Sequence, residues 1–106
     1  MKRIRGGQGV FQMSPTDIRE ESIKYLVTNG ARRISFFGSI ARGDASPGSD
    51  LDVLVEFSDR KSLLELVRLE RELSGRLGMR VDLLTVKSIS PHLIERIRDD
   101  MEVIYG

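Results

Sequence analysis

Residues 38–52 read GSIARGDASPGSDLD, and this stretch decides how the rest of the chain is interpreted. The apolar segment before it ends at Phe37, and the segment after it runs to Phe57, as two β-strands would. Small, turn-forming residues fill the middle of the stretch, which predicts a loop between those strands. The loop therefore begins at a Gly-Ser pair and ends where two aspartates open the second strand.

The Gly38-Ser39 pair lies where a strand gives way to a short helical turn at residues 40–42. Glycine lets the backbone approach a ligand closely, and N–H groups at the start of a helix point toward an anion. The Ser39 hydroxyl can donate a further hydrogen bond. The pair is consistent with a phosphate-binding loop, while an ordinary tight turn remains the alternative for this pattern alone.

Asp50 and Asp52 are two residues apart on the second predicted strand. Their side chains therefore leave the same face, with Cα atoms about 6.5–7 Å apart. Aspartate is depleted in strands, and two carboxylates aimed at one point repel each other. A divalent cation of the magnesium class between them would explain the arrangement. The alternative is the solvent-exposed polar face of an edge strand.

Asp82 is a third candidate, because it lies among apolar residues in the segment RVDLL at 80–84. A carboxylate in such a strand needs a cation or a hydrogen-bonding partner. If its strand lies beside the Asp50–Asp52 strand, the three carboxylates converge. An ion pair between Asp82 and Arg80 is the alternative.

The remaining pattern predicts an α/β (α+β) fold, in which helices flank a small mixed sheet. Ser14 and Pro15 begin a helix that Gly30 ends, and a capping Ser58 or Asp59 begins a long helix to Leu77. The apolar stripe of that helix comprises Leu63, Leu66, Leu69, Leu73 and Leu77. The predicted strands are 33–37, 50–57, 79–86 and 102–105, with a last helix from Ser90-Pro91.

The chain has 106 residues, the size of one domain, which we assign to residues 14–106, with 1–13 as a flexible N-terminal arm. Seventeen basic and 16 acidic residues leave a net charge of +1, so nucleic acid is not an expected partner. No apolar run is long enough to span a membrane. The lack of cysteine excludes thiolate chemistry and suits a reducing, cytoplasmic location.

Taken together, the motifs resemble the DNA polymerase β-like nucleotidyltransferase superfamily. The resemblance rests on GSIARG at 38–43, SDLD at 49–52 and the lone Asp82 one helix later, and it extends over roughly residues 23–105. The short chain and the Ala-Arg-Gly variant are most similar to the minimal, prokaryotic subgroup. This resemblance implies the polymerase β-like fold and a metal-dependent transfer of a nucleoside monophosphate.

Residue roles follow from the resemblance by position. It implies that Asp50, Asp52 and Asp82 are catalytic and hold two divalent ions, expected to be Mg²⁺. It implies that ATP is the substrate. The nucleotide would be bound by Gly38, Ser39, Arg42, Gly43 and Ser49.

The resemblance also implies a partner. Minimal members resemble the antitoxin half of a two-component pair, in which AMP is attached to a helical protein of the HEPN type. Two alternatives remain open: a binding module that neutralises its partner without transfer, and a transferase acting on a small molecule or an RNA end. The sequence leaves the oligomeric state open, a homo-oligomer included.

Overall fold

The computed structural model describes residues 13–43 and 49–106. Two single 3₁₀ turns follow the third strand and the last helix, at Val86–Ser88 and Arg98–Asp100. The helices and strands in chain order are α1 (Pro15–Thr28), β1 (Ala31–Phe37), α2 (Ser39–Arg42), β2 (Leu51–Phe57), α3 (Leu63–Leu77), β3 (Val81–Thr85), α4 (Pro91–Ile97) and β4 (Glu102–Tyr105).

The four strands form one mixed sheet in the order β3-β2-β1-β4. β1 pairs antiparallel with both β2 and β4, whereas β2 and β3 run parallel. A parallel pair needs a crossover, and α3 supplies it between β2 and β3. The predicted fold class, a small mixed sheet flanked by helices, is confirmed.

The larger core cluster lies between the sheet and the helices α1 and α3. The inward face of β2 contributes Leu51, Val53 and Val55, all fully buried, which pack with apolar side chains of both helices. These alternating positions are those expected of a strand with one face in the core.

A second, smaller cluster covers part of the opposite face of the sheet. Leu54 lies there with Phe37 and Ile89, and apolar residues of α4 pack against them. Asp52 precedes Leu54 by two residues, so both side chains leave the same face. Because the cluster covers Leu54 and leaves Asp52 only half-buried, one end of this face stays open to solvent.

The start of α3 differs from our prediction. Ser62, and not Ser58 or Asp59, caps the helix: its hydroxyl accepts from the Glu65 N–H at 3.1 Å, and the Glu65 carboxylate accepts from the Ser62 N–H at 3.0 Å. This reciprocal capping box fixes the first turn. Leu63 lies in that turn and is 76% exposed, so it does not belong to the buried stripe of Leu69, Leu73 and Leu77.

Several boundaries are also shifted. β1 begins earlier than predicted, β2 begins at Leu51, and β3 is shorter, while β4 occupies the predicted residues. Met13, which we assigned to the arm, is half-buried against the larger core; residues 1–12 lie outside the described part of the chain. Among the described residues, no helix has the length and apolar character required to cross a membrane.

Candidate active site

Asp52 and Asp82 are neighbours across the parallel pair of strands. The register sets Asp52 directly beside Asp82, and adjacent strands lie about 4.8 Å apart. Residues in register on neighbouring strands project to the same face, and the carboxyl group of Asp82 is near enough to raise the pKa of Asp52. The fold therefore brings together two aspartates that the sequence separates by the whole of α3.

Asp50 is linked to this pair through the positively charged side chain of Arg80. It lies immediately before β2, on the face that Asp52 occupies. Arg80 Nε is 4.0 Å from Asp50 Oδ2 and 3.8 Å from Asp82 Oδ1. The Arg80–Asp82 ion pair, considered above as an alternative to a metal site, is thus present and extends to Asp50. The sequence pattern gave no signal for the Asp50 contact, because it depends on the register between two strands.

The environment of Asp52 disfavours its charged form. Burial raises the pKa of the Asp52 carboxyl above its usual value, and the charge and hydrogen bond of Asp82 raise it further. Asp50 adds to this rise in pKa, while the positive charge of Arg42 opposes it. Part of this rise in pKa comes from the neighbouring carboxyl groups, so a cation bound among them would be favoured electrostatically.

Gly38 brings the start of the loop against this cluster. Phe37, the last residue of β1, pairs with Asp52, and Gly38 follows with φ +78° and ψ −155°, a region that is almost restricted to glycine. A Cβ atom at this position would overlap with Oδ2 of Asp52. The glycine is thus required both by its backbone conformation and by the close approach of the carboxylate.

The other residues assigned to nucleotide binding surround this point. Ser39 is the first residue of α2, whose only turn ends at Gly43 in a left-handed conformation with φ +82°. The Arg42 guanidinium lies 3.3 Å from Asp100 Oδ2. Ser49 is half-buried directly before Asp50, and residues 44–48 lie outside the described part of the chain. Sequence reasoning missed Asp100, because nothing in the local pattern connects residues 58 positions apart.

The aspartates fit a divalent metal ion in donor type. Hard cations such as Mg²⁺ prefer carboxylate oxygens, and burial together with the neighbouring carboxyl groups of Asp82 and Asp50 raises the pKa of Asp52. No three acidic or histidine side chains of residues 13–43 and 49–106 enclose a common point closely enough to hold an ion unaided. Mg²⁺ commonly takes one or two carboxylates and completes its shell with water and substrate phosphates. An open cluster of carboxylates is consistent with that mode of binding.

Two curated relatives are similar to most of the chain. A protein of Methanocaldococcus jannaschii, named provisionally as a protein adenylyltransferase, is 47% identical over 88 residues, which cover 83% of this chain and 95% of the relative. The protein adenylyltransferase MntA of Thermococcus cleftensis is 41% identical over 76 residues, covering 72% and 75% of the two chains.

A solved structure shares the architecture. It is a chain of a toxin–antitoxin complex crystallised with AMP-PNP, and it superposes with a TM-score of 0.77 at 27% identity, covering 83% of this chain and 73% of that one. The family model described as a nucleotidyltransferase domain matches residues 19–104, which include the Gly-Ser loop and all three aspartates. The chain belongs to this family and is a nucleotidyltransferase.

Proposed function

We propose that this chain is a protein adenylyltransferase, which transfers AMP from ATP to a hydroxyl group of a helical HEPN-type partner and thereby acts as the partner's antitoxin. Family membership establishes an enzyme that acts on a nucleotide substrate. The proposal adds three points: which nucleotide is the substrate, which metal ion is bound and which molecule is the acceptor.

One observation carries the proposal: Asp52 lies between Asp82, its neighbour across the sheet, and Gly38, the first residue of the loop. Nucleotidyl transfer needs a carboxylate cluster next to a backbone that can approach phosphate closely. An antitoxin that worked only by binding would not require these residue types at one point. The raised pKa of Asp52 supports the proposal, since perturbed carboxyl groups cluster at functional sites.

Different residues of the chain bind the triphosphate and accept the proton of the acceptor during transfer. Gly38 and Ser39 bind the triphosphate through backbone N–H groups and the serine hydroxyl, and Arg42 contributes positive charge. The acceptor oxygen forms a bond to the α-phosphorus, while the bond from that phosphorus to the bridging oxygen breaks and pyrophosphate leaves. The acceptor's proton passes to the Asp82 carboxylate, which lies beside Asp52 on the edge strand β3. Gly43 and Ser49 complete the nucleotide-binding residues by holding the two ends of the loop.

Asp50, Asp52 and Asp82 would hold the divalent ions, which we take to be two Mg²⁺. Ions bound there would supply the charge that acidifies the acceptor hydroxyl and neutralises the departing pyrophosphate. The half-buried position of Asp52 supports this role, because partial exclusion of water strengthens electrostatic interactions.

The partner is proposed from the relatives. Two curated relatives carry the name protein adenylyltransferase, and the nucleotide-bound structural neighbour belongs to a toxin–antitoxin complex. We place the reaction in the cytoplasm, since the chain has no cysteine and cytosolic proteins seldom depend on disulfides.

The test incubates a HEPN-type partner with ATP, Mg²⁺ and either the parent chain or an Asp50→Asn/Asp52→Asn double variant. Mass spectrometry of the partner should show the gain of AMP with the parent and no gain with the double variant. Binding is measured separately by size-exclusion chromatography, and neutralisation by growth of cells that express the partner. Glu56→Gln serves as the control, because Glu56 lies farther along β2 and pairs with Arg32 and Arg33.

The outcomes separate the candidate functions. If the double variant still binds its partner and still restores growth, neutralisation results from complex formation, and the proposal that AMP transfer neutralises the partner is wrong. If the parent leaves the partner's mass unchanged but consumes ATP with a small alcohol or an RNA end, the acceptor has been misidentified.

A further inference from the structure

Arg80 is held beside the aspartate cluster by its backbone as well as by its charge. It lies directly before β3, and its carbonyl oxygen accepts a hydrogen bond of 2.9 Å from the N–H of Leu51, the residue between Asp50 and Asp52. This bond fixes the Arg80 Cα at the end of the sheet where the carboxylates lie. Alternation along the strand then directs its side chain to the face of Asp82.

The Arg80 side chain interacts with two of the three aspartates and leaves the third without its charge. Its Nε atom is 3.8 Å from Oδ1 of Asp82 and 4.0 Å from Oδ2 of Asp50. The positive charge that lowers the pKa of Asp52 is that of Arg42. These distances exceed those of a close, bidentate ion pair. The side chain is also 75% exposed, so rotating it into solvent costs little. The Arg80 side chain is therefore close enough to offset part of the negative charge of Asp50 and Asp82, and it can move away from them at little cost.

We propose that Arg80 is the resident counter-ion of the aspartate cluster and sets its affinity for divalent cations. The proposal rests on the assignment of Asp50, Asp52 and Asp82 as metal ligands. In the absence of a divalent ion, the guanidinium reduces the repulsion between Asp50 and Asp82. A cation that binds the same oxygens must displace it, so Arg80 weakens the binding of free metal ions while it stabilises the folded chain without them.

The proposal is tested by titrating the full chain with Mn²⁺ in the absence of nucleotide and following free Mn²⁺ by electron paramagnetic resonance. Arg80→Gln should bind Mn²⁺ roughly three- to tenfold more tightly than the parent, which is the effect of removing one screened positive charge about 6 Å from a divalent ion. Arg80→Lys keeps the charge and should remain close to the parent. Arg71→Gln, at an exposed position of α3, is the matched control and should also bind as the parent does.

Thermal unfolding gives a second readout that is independent of catalysis. Arg80→Gln should melt at a slightly lower temperature than the parent without metal, and it should gain more than the parent from a given Mn²⁺ concentration. The difference in Mn²⁺ affinity should shrink as the ionic strength rises, because salt screens exposed charges.

The outcomes distinguish this inference from the active-site assignment. If the parent binds Mn²⁺, Asp52→Asn does not, and Arg80→Gln binds no more tightly than the parent, the counter-ion role is wrong while the metal site stands. If neither the parent nor Arg80→Gln binds Mn²⁺ without nucleotide, the role assigned to Arg80 is wrong. If Asp52→Asn binds Mn²⁺ as well as a parent that does bind it, the metal-ligand assignment fails and the role of Arg80 fails with it.

Discussion

The ionised carboxyl group of Asp52 destabilises the folded chain, as is typical of carboxyl groups at functional sites. Its carboxyl is half-buried between a second carboxyl and a glycine backbone, and its pKa is raised by burial and by the charge of Asp82. Because this pKa is higher in the folded than in the unfolded chain, stability is greatest below the unfolded-state pKa and falls as the pH rises through the folded-state pKa. At neutral pH the ionised Asp52 therefore opposes folding.

Asp52→Asn removes this charge and nearly keeps the shape of the side chain. Without metal at neutral pH, the variant should be more stable than the parent by on the order of 0.5 kcal/mol, or roughly 2–4 °C, since solvent screens a half-exposed charge. The gain should vanish as the pH falls below the ordinary range of aspartate, where the parent is protonated. Addition of Mg²⁺ and ATP should raise the melting temperature of the parent much more than that of the variant.

Glu56→Gln, on the same strand, is the control for that comparison and should respond to Mg²⁺ and ATP as the parent does. An Asp52→Asn variant that is less stable than the parent without metal, yet responds to the ligands equally, would show that Asp52 is a structural residue.

The three aspartates could be singled out from the sequence, because a carboxylate in an apolar strand is costly wherever it occurs. The contacts of Arg80 with Asp50 and of Arg42 with Asp100 could not. Each depends on the distance between elements that are remote in sequence, and exposed arginines are too common for position alone to indicate a partner.

Gly38 shows how a single element, the turn into α2, depends on one residue type. Gly38→Ala would force a side chain into a glycine-only backbone conformation and against Asp52 Oδ2. The variant should lose about 1–3 kcal/mol of stability from backbone strain. It should also lose most of the rise in melting temperature that ATP and Mg²⁺ produce, because either the loop or the carboxylate must move.

Gly75→Ala is the matched control for this substitution. Gly75 lies in α3, where an added Cβ atom would have no neighbour within 4 Å, and alanine favours a helix by up to about 1 kcal/mol relative to glycine. This variant should be more stable than the parent and bind nucleotide normally. Equal effects of the two substitutions on ligand binding would contradict the role assigned to Gly38.

At the level of elements, capping residues decided where the predictions from sequence held. Pro15 and Ser14 predicted the start of α1, and Ser90-Pro91 predicted that of α4. Ahead of α3, several residues between Ser58 and Ser62 can cap a helix, and only the pairing of Ser62 with Glu65 selects one. The exposure of Leu63 follows from that later start.

For the whole molecule, the fold class and the number of strands followed from the sequence, but the strand order did not. Alternating apolar residues identify a strand and its buried face without naming its neighbour. The antiparallel pairing of β4 with β1 and the second cluster beneath α4 are long-range features of this kind. The N-terminal arm stays a prediction, because residues 1–12 lie outside the described part of the chain.

Nucleotidyl transfer itself is tested most directly by the position of a label in ATP. The chain is incubated with Mg²⁺, a HEPN-type partner and ATP labelled at either the α- or the γ-phosphate. If Asp50, Asp52 and Asp82 promote attack at the α-phosphorus, the partner should acquire label from α-labelled ATP, while the γ label should leave with pyrophosphate. Transfer of the γ label to the partner would instead mean phosphoryl transfer and would contradict the proposed reaction.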